Sequence, residues 1–111
     1  MASSVTIKVI SNRLPSIPAK LHSAVSAEVE KSARRIEADS KGLAPVLTGT
    51  LRRSIHADIQ GMKAIVGPSV DYGIYVEMGA RGRAPRPFMR PAASKELPQF
   101  AANVKKALGS L

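Results

Sequence analysis

The feature that most constrains this chain is a stretch of residues, 14–36, in which apolar side chains recur every three or four positions. That spacing places them on one face of an α-helix, while charged residues fill mainly the other faces. Proline is tolerated only in or before the first turn, so Pro15 and Pro18 predict a helix that begins near Ser16 and ends at Lys41-Gly42. The apolar stripe consists of Leu14, Ile17, Leu21, Val25, Val29, Ala33 and Ile36.

Three other segments show the period-two alternation of strands. Residues 4–10 predict a short first strand, which Ser11-Asn12 would end as a turn. Residues 56–60 and 62–67, separated by Gly61, predict a β-hairpin that Pro68 closes. The inward positions expected in this hairpin are Ala57, Ile59, Ala64 and Val66.

Two short segments are less regular. Residues 51–55 predict one helical turn capped by Thr48, because a hydroxyl side chain can accept the first free N–H groups of a helix. Residues 72–78 fit both a strand and a short helix, and the glycine at position 79 favours the helix by supplying a stop.

A second long helix is predicted from Ala92 onward, with Pro98 either kinking it or delaying its start. Its apolar face would hold Leu97, Phe100, Ala101, Val104 and Leu108, with Lys95, Glu96, Lys105 and Lys106 outside that face. The elements together predict an α+β fold. A small antiparallel sheet would be packed by the long helix of the N-terminal half and by the C-terminal helix, in a single domain over residues 1–111.

Composition narrows the function classes. The chain has no cysteine, which excludes disulfides, thiolate metal sites and cysteine nucleophiles. No apolar run approaches the ~20 residues needed to cross a bilayer, and the first residues lack the features of a signal peptide. We therefore expect a soluble intracellular protein with no membrane partner.

The net charge of +9 favours an anionic neighbour, either nucleic acid or an acidic protein surface. Residues 1–50 carry seven basic and four acidic residues, whereas residues 51–111 carry ten and four. A loop over residues 79–91 concentrates this charge, with four arginines and three prolines in thirteen residues. The candidate partner-binding or phosphate-binding residues are Arg81, Arg83, Arg86 and Arg90.

Two interpretations of these arginines stay open. Guanidinium groups on a proline-stiffened loop lose less entropy when they bind phosphate or carboxylate. Alternatively they are solvated, or pair with Glu77, Asp71 or the acids of a neighbouring subunit. Phe88 and Met89 likewise either anchor the loop to the core or form an intersubunit anchor.

Catalytic signals are sparse in this sequence. His22 and His56 are lone imidazoles, and no HExxH, GxSxG or GxxxxGK[ST] motif is present. The glycine-containing segment 79–83 lacks the following lysine and hydroxyl of a phosphate loop. We therefore expect no enzyme, no catalytic residues, no metal and no cofactor.

Three sequence blocks stand in order over about residues 44–93. They are A-P-V-L-T-G-T-L-R-R-S-I at 44–55, Y-G-I-Y-V-E-M-G at 72–79 and R-P-F-M-R-P-A at 86–92, with Val-Gly at 66–67 between the first two. Together they resemble the small head-to-tail joining, or tail completion, proteins of long-tailed bacteriophages and prophages. Two departures are Met78, where an aromatic residue is usual, and Ala80, where threonine is common.

The resemblance implies an α+β fold with an antiparallel sheet and flanking helices. It also implies a ring of six copies at the head-proximal end of the tail, between the connector or stopper of the head and the terminator or tube proteins of the tail. Phage DNA would pass through the lumen without sequence-specific binding. The protein would be monomeric before assembly in the bacterial cytoplasm, and would then reside in the virion.

Several residues of the blocks have expected roles. Glu77 is a natural acceptor for an arginine, within the subunit or across the ring, and Tyr72 and Tyr75 join it as interface or anchor residues. The arginine loop would either contact phosphate or insert into an acidic groove on a neighbouring subunit or the connector, and the second is favoured. The motif residues expected to be structural are Thr48, Gly49, Leu51, Arg52, Gly79, Pro87 and Pro91.

Two competing functions remain. A free-standing basic nucleic-acid-binding protein would explain the net charge but not the three blocks, and it would show steeply salt-dependent DNA affinity. An enzyme would need a buried pocket with titratable groups.

Overall fold

A computed structural model describes residues 5–8 as backbone, and residues 19–45, 49–79, 82 and 84–110. The described elements, in chain order, form an α+β fold, and this confirms the predicted fold class. They are β1 (Val5–Lys8), α1 (Ala19–Leu43), α2 (Thr50–Ser54), β2 (Ile55–Gln60), β3 (Lys63–Pro68), α3 (Gly73–Met78) and α4 (Met89–Gly109).

The sheet has the strand order β1-β3-β2, and both pairings are antiparallel. β2 and β3 form the predicted hairpin, whose turn begins at Gly61 with a φ of 61°. The predicted inward positions are confirmed: Ala64 and Val66 are fully buried, and Ala57 and Ile59 pack partly buried against the core. Positions 4, 9 and 10 of the predicted first strand lie outside the described residues.

The long helix α1 covers one face of this sheet. It ends at Leu43, within two residues of the predicted end, whereas its predicted start near Ser16 lies outside the described residues. Five residues of its apolar stripe are described, and they face the core as expected because residues at steps of three and four lie on the same side; Leu21 is partly buried. The buried members are Val25, Val29, Ala33 and Ile36.

The last helix differs from the prediction in its start and in its buried face. It begins at Met89, three residues before Ala92, and runs without a break through Pro98. Leu97, placed on the apolar face by the sequence, is 51% exposed, whereas Glu96, placed outside, is only 2% exposed. Of the other residues assigned to that face, Ala101 and Leu108 are exposed, and Phe100 and Val104 are partly buried.

The physical reason for this rotation is a polar cluster between α1 and α4. The Arg35 guanidinium donates from Nε to both Glu96 oxygens at 2.9 Å and from Nη2 to Oε2 at 2.7 Å. The Ser32 hydroxyl donates to the same Oε2 at 2.7 Å. A bidentate, charge-assisted pair of this kind lets a carboxylate occupy a buried position between two helices.

This cluster perturbs both titratable groups. Burial alone would raise the pKa of the Glu96 carboxyl, but the hydrogen bonds from Arg35 and Ser32 outweigh it, and the pKa is lowered from its ordinary 4.5. The hydrogen bond to Glu96 raises the pKa of Arg35 above its ordinary value. The ion pair is therefore intact at neutral pH, and acid removes it.

Replacing Glu96 tests this contribution. We expect Glu96→Ala to reduce the free energy of unfolding at pH 7 by about 2–4 kcal/mol, measured by urea denaturation, because it leaves Arg35 and Ser32 without their buried partner. The exposed pair of Arg34 with Glu37 supplies the control, and Glu37→Ala should cost less than about 1 kcal/mol.

The same pair sets part of the pH dependence. Because the native pKa of Glu96 is depressed, its stabilisation is present above the ordinary pKa of 4.5 and is lost as the pH falls through the native pKa. Glu96→Gln should therefore lose less stability than the wild type between pH 5 and pH 2. Equal losses in the two proteins would contradict the assignment.

Candidate functional site

The candidate site lies where α3 meets the start of α4. The segment 72–78 forms a helix rather than a strand, as the sequence favoured: α3 spans Gly73–Met78, with Tyr72 as its N-cap. The C-cap is Gly79, whose φ of 77° suits glycine and whose N–H donates to the Tyr75 carbonyl at 2.8 Å. At the other end, a side chain on Gly73 would lie 2.7 Å from the Pro68 ring. Glycine at that position therefore lets α3 pack closely against the end of β3.

Glu77 projects from the inner side of α3 and is 7% exposed. Its Oε1 accepts the backbone N–H groups of Phe88 at 3.1 Å and Met89 at 2.9 Å, and its Oε2 accepts that of Arg90 at 3.1 Å. The next residue, Pro91, has no N–H. The first turn of α4 therefore leaves no backbone N–H without an acceptor: Glu77 accepts three of them, and the fourth position is a proline.

This arrangement is a helix cap supplied from a distance. Phe88, at the cap position, contributes no side-chain hydrogen bond, so Glu77 takes the role that serine or aspartate usually has. Its negative charge also lies at the positive end of the α4 dipole. Within the described ranges Glu77 bonds to backbone amides and to no guanidinium, and the alternative that it accepts an arginine across the ring stays a prediction.

The segment between the two helices is held at two further points. Phe88 and Met89 are buried in the core, so in this structure they anchor the start of α4 within the subunit. The Arg86 N–H donates to the Val76 carbonyl at 2.9 Å, which places this residue beside α3. The proposed loop over 79–91 is therefore shorter in the structure, because its last three residues belong to α4.

The arginines of the segment are exposed where they are described. Arg86 and Arg90 are both exposed, and neither has an ion pair within the described part of the chain. Arg81 and Arg83 lie outside the described residues. Pro87 and Pro91 follow Arg86 and Arg90 in the sequence and are exposed, and Pro91 occupies the first turn of α4, where proline costs no hydrogen bond.

The outer face of α3 is apolar and exposed. Tyr72, Tyr75 and Met78 are 44%, 62% and 56% exposed, and their spacing of three residues puts them on one side of the helix. The sequence predicts the two tyrosines as interface candidates, whereas Met78 differs there only as a departure from a motif. The three-residue spacing was the signal that would have joined all three.

The first motif block lies on and around α2. Leu51 is buried in the core, and Gly49, with a φ of 80°, is the N-cap residue of this short helix. Thr48, the predicted cap, lies outside the described residues. Arg52 donates from Nη2 to the Ala44 carbonyl at 3.5 Å, while its Nε is buried without a partner among the described residues.

The other candidates do not converge. His22 faces Ser26 on α1, and His56 contacts the Ser54 carbonyl. No group of three or more metal-binding side chains occurs in the described portion of the chain. Among the helices described, none is long and apolar enough to cross a membrane. A shallow groove between α1 and α4 has a mixed lining of Glu28, Lys31, Arg35, Asn103, Lys106, Ala107 and Ser110.

Comparison with known proteins gives one match. The protein-family model described as "Bacteriophage HK97-gp10, putative tail-component" matches residues 8–79, which is more than half of the chain. No curated protein and no solved structure matches significantly. The matched range ends at Gly79, so the contacts of Glu77 join the matched part to the segment that follows it.

Substitution of Glu77 tests the remote cap. We expect Glu77→Ala to lower the free energy of unfolding by about 3 kcal/mol, because buried N–H groups lose their acceptor. Amide hydrogen exchange at Phe88, Met89 and Arg90 should accelerate. Glu77→Gln, which keeps one carbonyl acceptor, should show a smaller loss.

The exposed Glu30 on α1 is the matched control, and Glu30→Ala should change stability by less than about 0.5 kcal/mol. Unchanged exchange at the three amides in Glu77→Ala would rule out the cap.

Proposed function

Since the chain belongs to the HK97-gp10-like family of bacteriophage tail components, we propose that it completes the phage tail and joins it to the head connector. It would act as a subunit of a ring at that junction. A structural tail-component family also supports a non-enzymatic role. The observation that supports a role in joining is the link that Glu77 makes between α3 and the start of α4. Beside this link the protein exposes arginine, tyrosine and methionine side chains.

The composition of that surface favours contact with another macromolecule. Tyrosine, methionine and arginine are the residue types enriched where proteins bind one another. Arg86 and Arg90 have no ion pair within the described residues, so their guanidinium groups are available to a partner. A surface that is already ordered loses less entropy on assembly than a flexible segment would.

In the assembled particle we propose a ring of six copies between the head connector or stopper and the terminator or tube proteins of the tail. The free protein would be a monomer, assembled in the bacterial cytoplasm into the virion. A net charge of +9 suits a ring through which DNA passes without being read in sequence. Arg81, Arg83, Arg86 and Arg90 would bind an acidic groove on the adjoining molecule.

The alternative is a free-standing basic nucleic-acid-binding protein, which the net charge favours. It predicts tight DNA binding that weakens steeply with salt, and no association with tails. This alternative does not explain why the chain belongs to a family of tail components.

Removing the arginines tests the role of the loop. In a phage that lacks this gene and is supplied with the protein from a plasmid, we expect the triple variant Arg81→Ala, Arg83→Ala and Arg86→Ala to fold normally by circular dichroism. It should lower the yield of infectious particles about tenfold or more, leaving unjoined heads and tails, because charged interface contacts are lost.

The matched control removes three exposed positive charges elsewhere on the surface. The triple variant Lys63→Ala, Lys105→Ala and Lys106→Ala should give a nearly normal yield, because these lysines lie on β3 and α4, away from the loop. A normal yield from the arginine variant would contradict the proposed role of the loop. Equal defects in both variants would assign the effect to net charge alone.

A further inference from the structure

We infer that the outer face of α3, formed by Tyr72, Tyr75 and Met78 and flanked by Arg86 and Arg90, docks into an acidic-rimmed apolar groove on a different protein. A second copy of this chain is not its occupant. The inference rests on the proposed function, because that different protein would be the neighbour of this chain at the head-tail junction.

The face is continuous and built on a helix. Its three side chains recur every third residue, and Tyr75 and Met78 are each more than half exposed. They include both tyrosines of a chain in which aromatic residues are only 4%. A line of large apolar side chains on one exposed helix face has the form of a recognition element that enters a groove.

Arg86 and Arg90 contact α3 through their backbone N–H groups. Arg86 bonds through its N–H to Val76 of α3, and Arg90 bonds through its N–H to Glu77 of α3. Both side chains are exposed. The backbones of both arginines therefore adjoin α3 and their charged side chains are exposed, so the complementary surface would be apolar with carboxylates at its rim.

The helix is held rigidly from its other side. Glu77 ties it to α4 with three hydrogen bonds, and Gly73 packs against Pro68 at a distance that admits no side chain. The docking face is thus formed before the partner arrives, and little conformational entropy is lost on binding.

The acidic residues of the chain argue against a second copy as the occupant. Of the eight acidic side chains, Glu77 caps α4 and four others form ion pairs, namely Glu28, Glu37, Asp39 and Glu96. The remaining three, Glu30, Asp58 and Asp71, lie on α1, on β2 and in the turn before α3. A second copy therefore offers no cluster of free carboxylates to Arg86 and Arg90.

The apolar residues argue against a nucleic-acid backbone. Phosphate and sugar would satisfy Arg86 and Arg90 but would offer no apolar surface to Met78. A methionine side chain adapts its shape to an apolar groove, and burying it there contributes favourable free energy. A protein groove satisfies both parts of the surface.

The test uses tails and heads purified from a phage that lacks this gene, with fluorescently labelled protein added and binding measured by co-sedimentation. The variant carries Tyr75→Ser and Met78→Ser. The matched control carries Leu97→Ser and Leu108→Ser, which removes two large apolar side chains of 51% and 41% exposure from α4. We expect the α3 variant to bind about tenfold or more weakly, and the control to bind like the wild type.

Two parallel measurements identify a wrong occupant. Light scattering of each protein alone reports self-association, and titration with duplex DNA at two salt concentrations reports nucleic-acid binding. We expect both to be the same for the wild type and the α3 variant. Self-association lost in that variant would make a second copy the occupant, and DNA affinity lost in it would make nucleic acid the occupant; either would overturn the inference.

The remaining outcomes are also decisive. Unchanged binding of the α3 variant to tails and heads would overturn the docking face, as would an equal loss in the α4 control. If the wild type binds neither particle, the proposed function itself fails, and the wild-type sample alone shows this.

Discussion

The start of α4 depends on one carboxylate. The sequence Phe88-Met89-Arg90-Pro91 offers no serine, threonine or aspartate that could accept the first amides of the helix. Glu77 supplies both acceptor oxygens from eleven to thirteen residues away, and Pro91 removes the one donor that Glu77 does not reach. The sequence blocks at 72–79 and 86–92 are therefore joined in the structure by the hydrogen bonds of Glu77.

The position of α3 relative to α4 depends on this link. The link joins the buried side of α3 to the start of α4, including the backbone of Arg90, while Tyr72, Tyr75 and Met78 on the other side of α3 stay exposed. A second buried carboxylate, Glu96, joins α1 to α4 through Arg35. Because Glu77 and Glu96 are buried, their negative charges do not offset the positive charges on the surface, where a partner would bind.

Periodicity was sufficient for the elements that follow simple patterns. The sequence predicted the described part of α1 and the hairpin with its inward Ala64 and Val66. It also favoured a helix within residues 72–78, where α3 spans Gly73–Met78. These elements bury apolar residues at regular spacing, so the pattern and the packing coincide. The α+β class follows from the same patterns.

Hydrophobic periodicity could not predict which charged residues are buried. An amphipathic pattern places glutamate outside, yet Glu96 is buried because Arg35 and Ser32, more than sixty residues away in sequence, meet it. The acceptor role of Glu77 toward backbone amides was missed for the same reason, since the pairing depends on how α3 and α4 are packed. The face of α4 and its first residue were consequently placed incorrectly.

The most direct measurement of the central claim is electron microscopy of tails assembled with and without this protein. A tail-joining protein predicts additional density at the end of the tail that meets the head, present only when the protein is supplied and arranged around the axis of the tube. Density at the opposite end of the tail, or identical images in the two samples, would contradict the account.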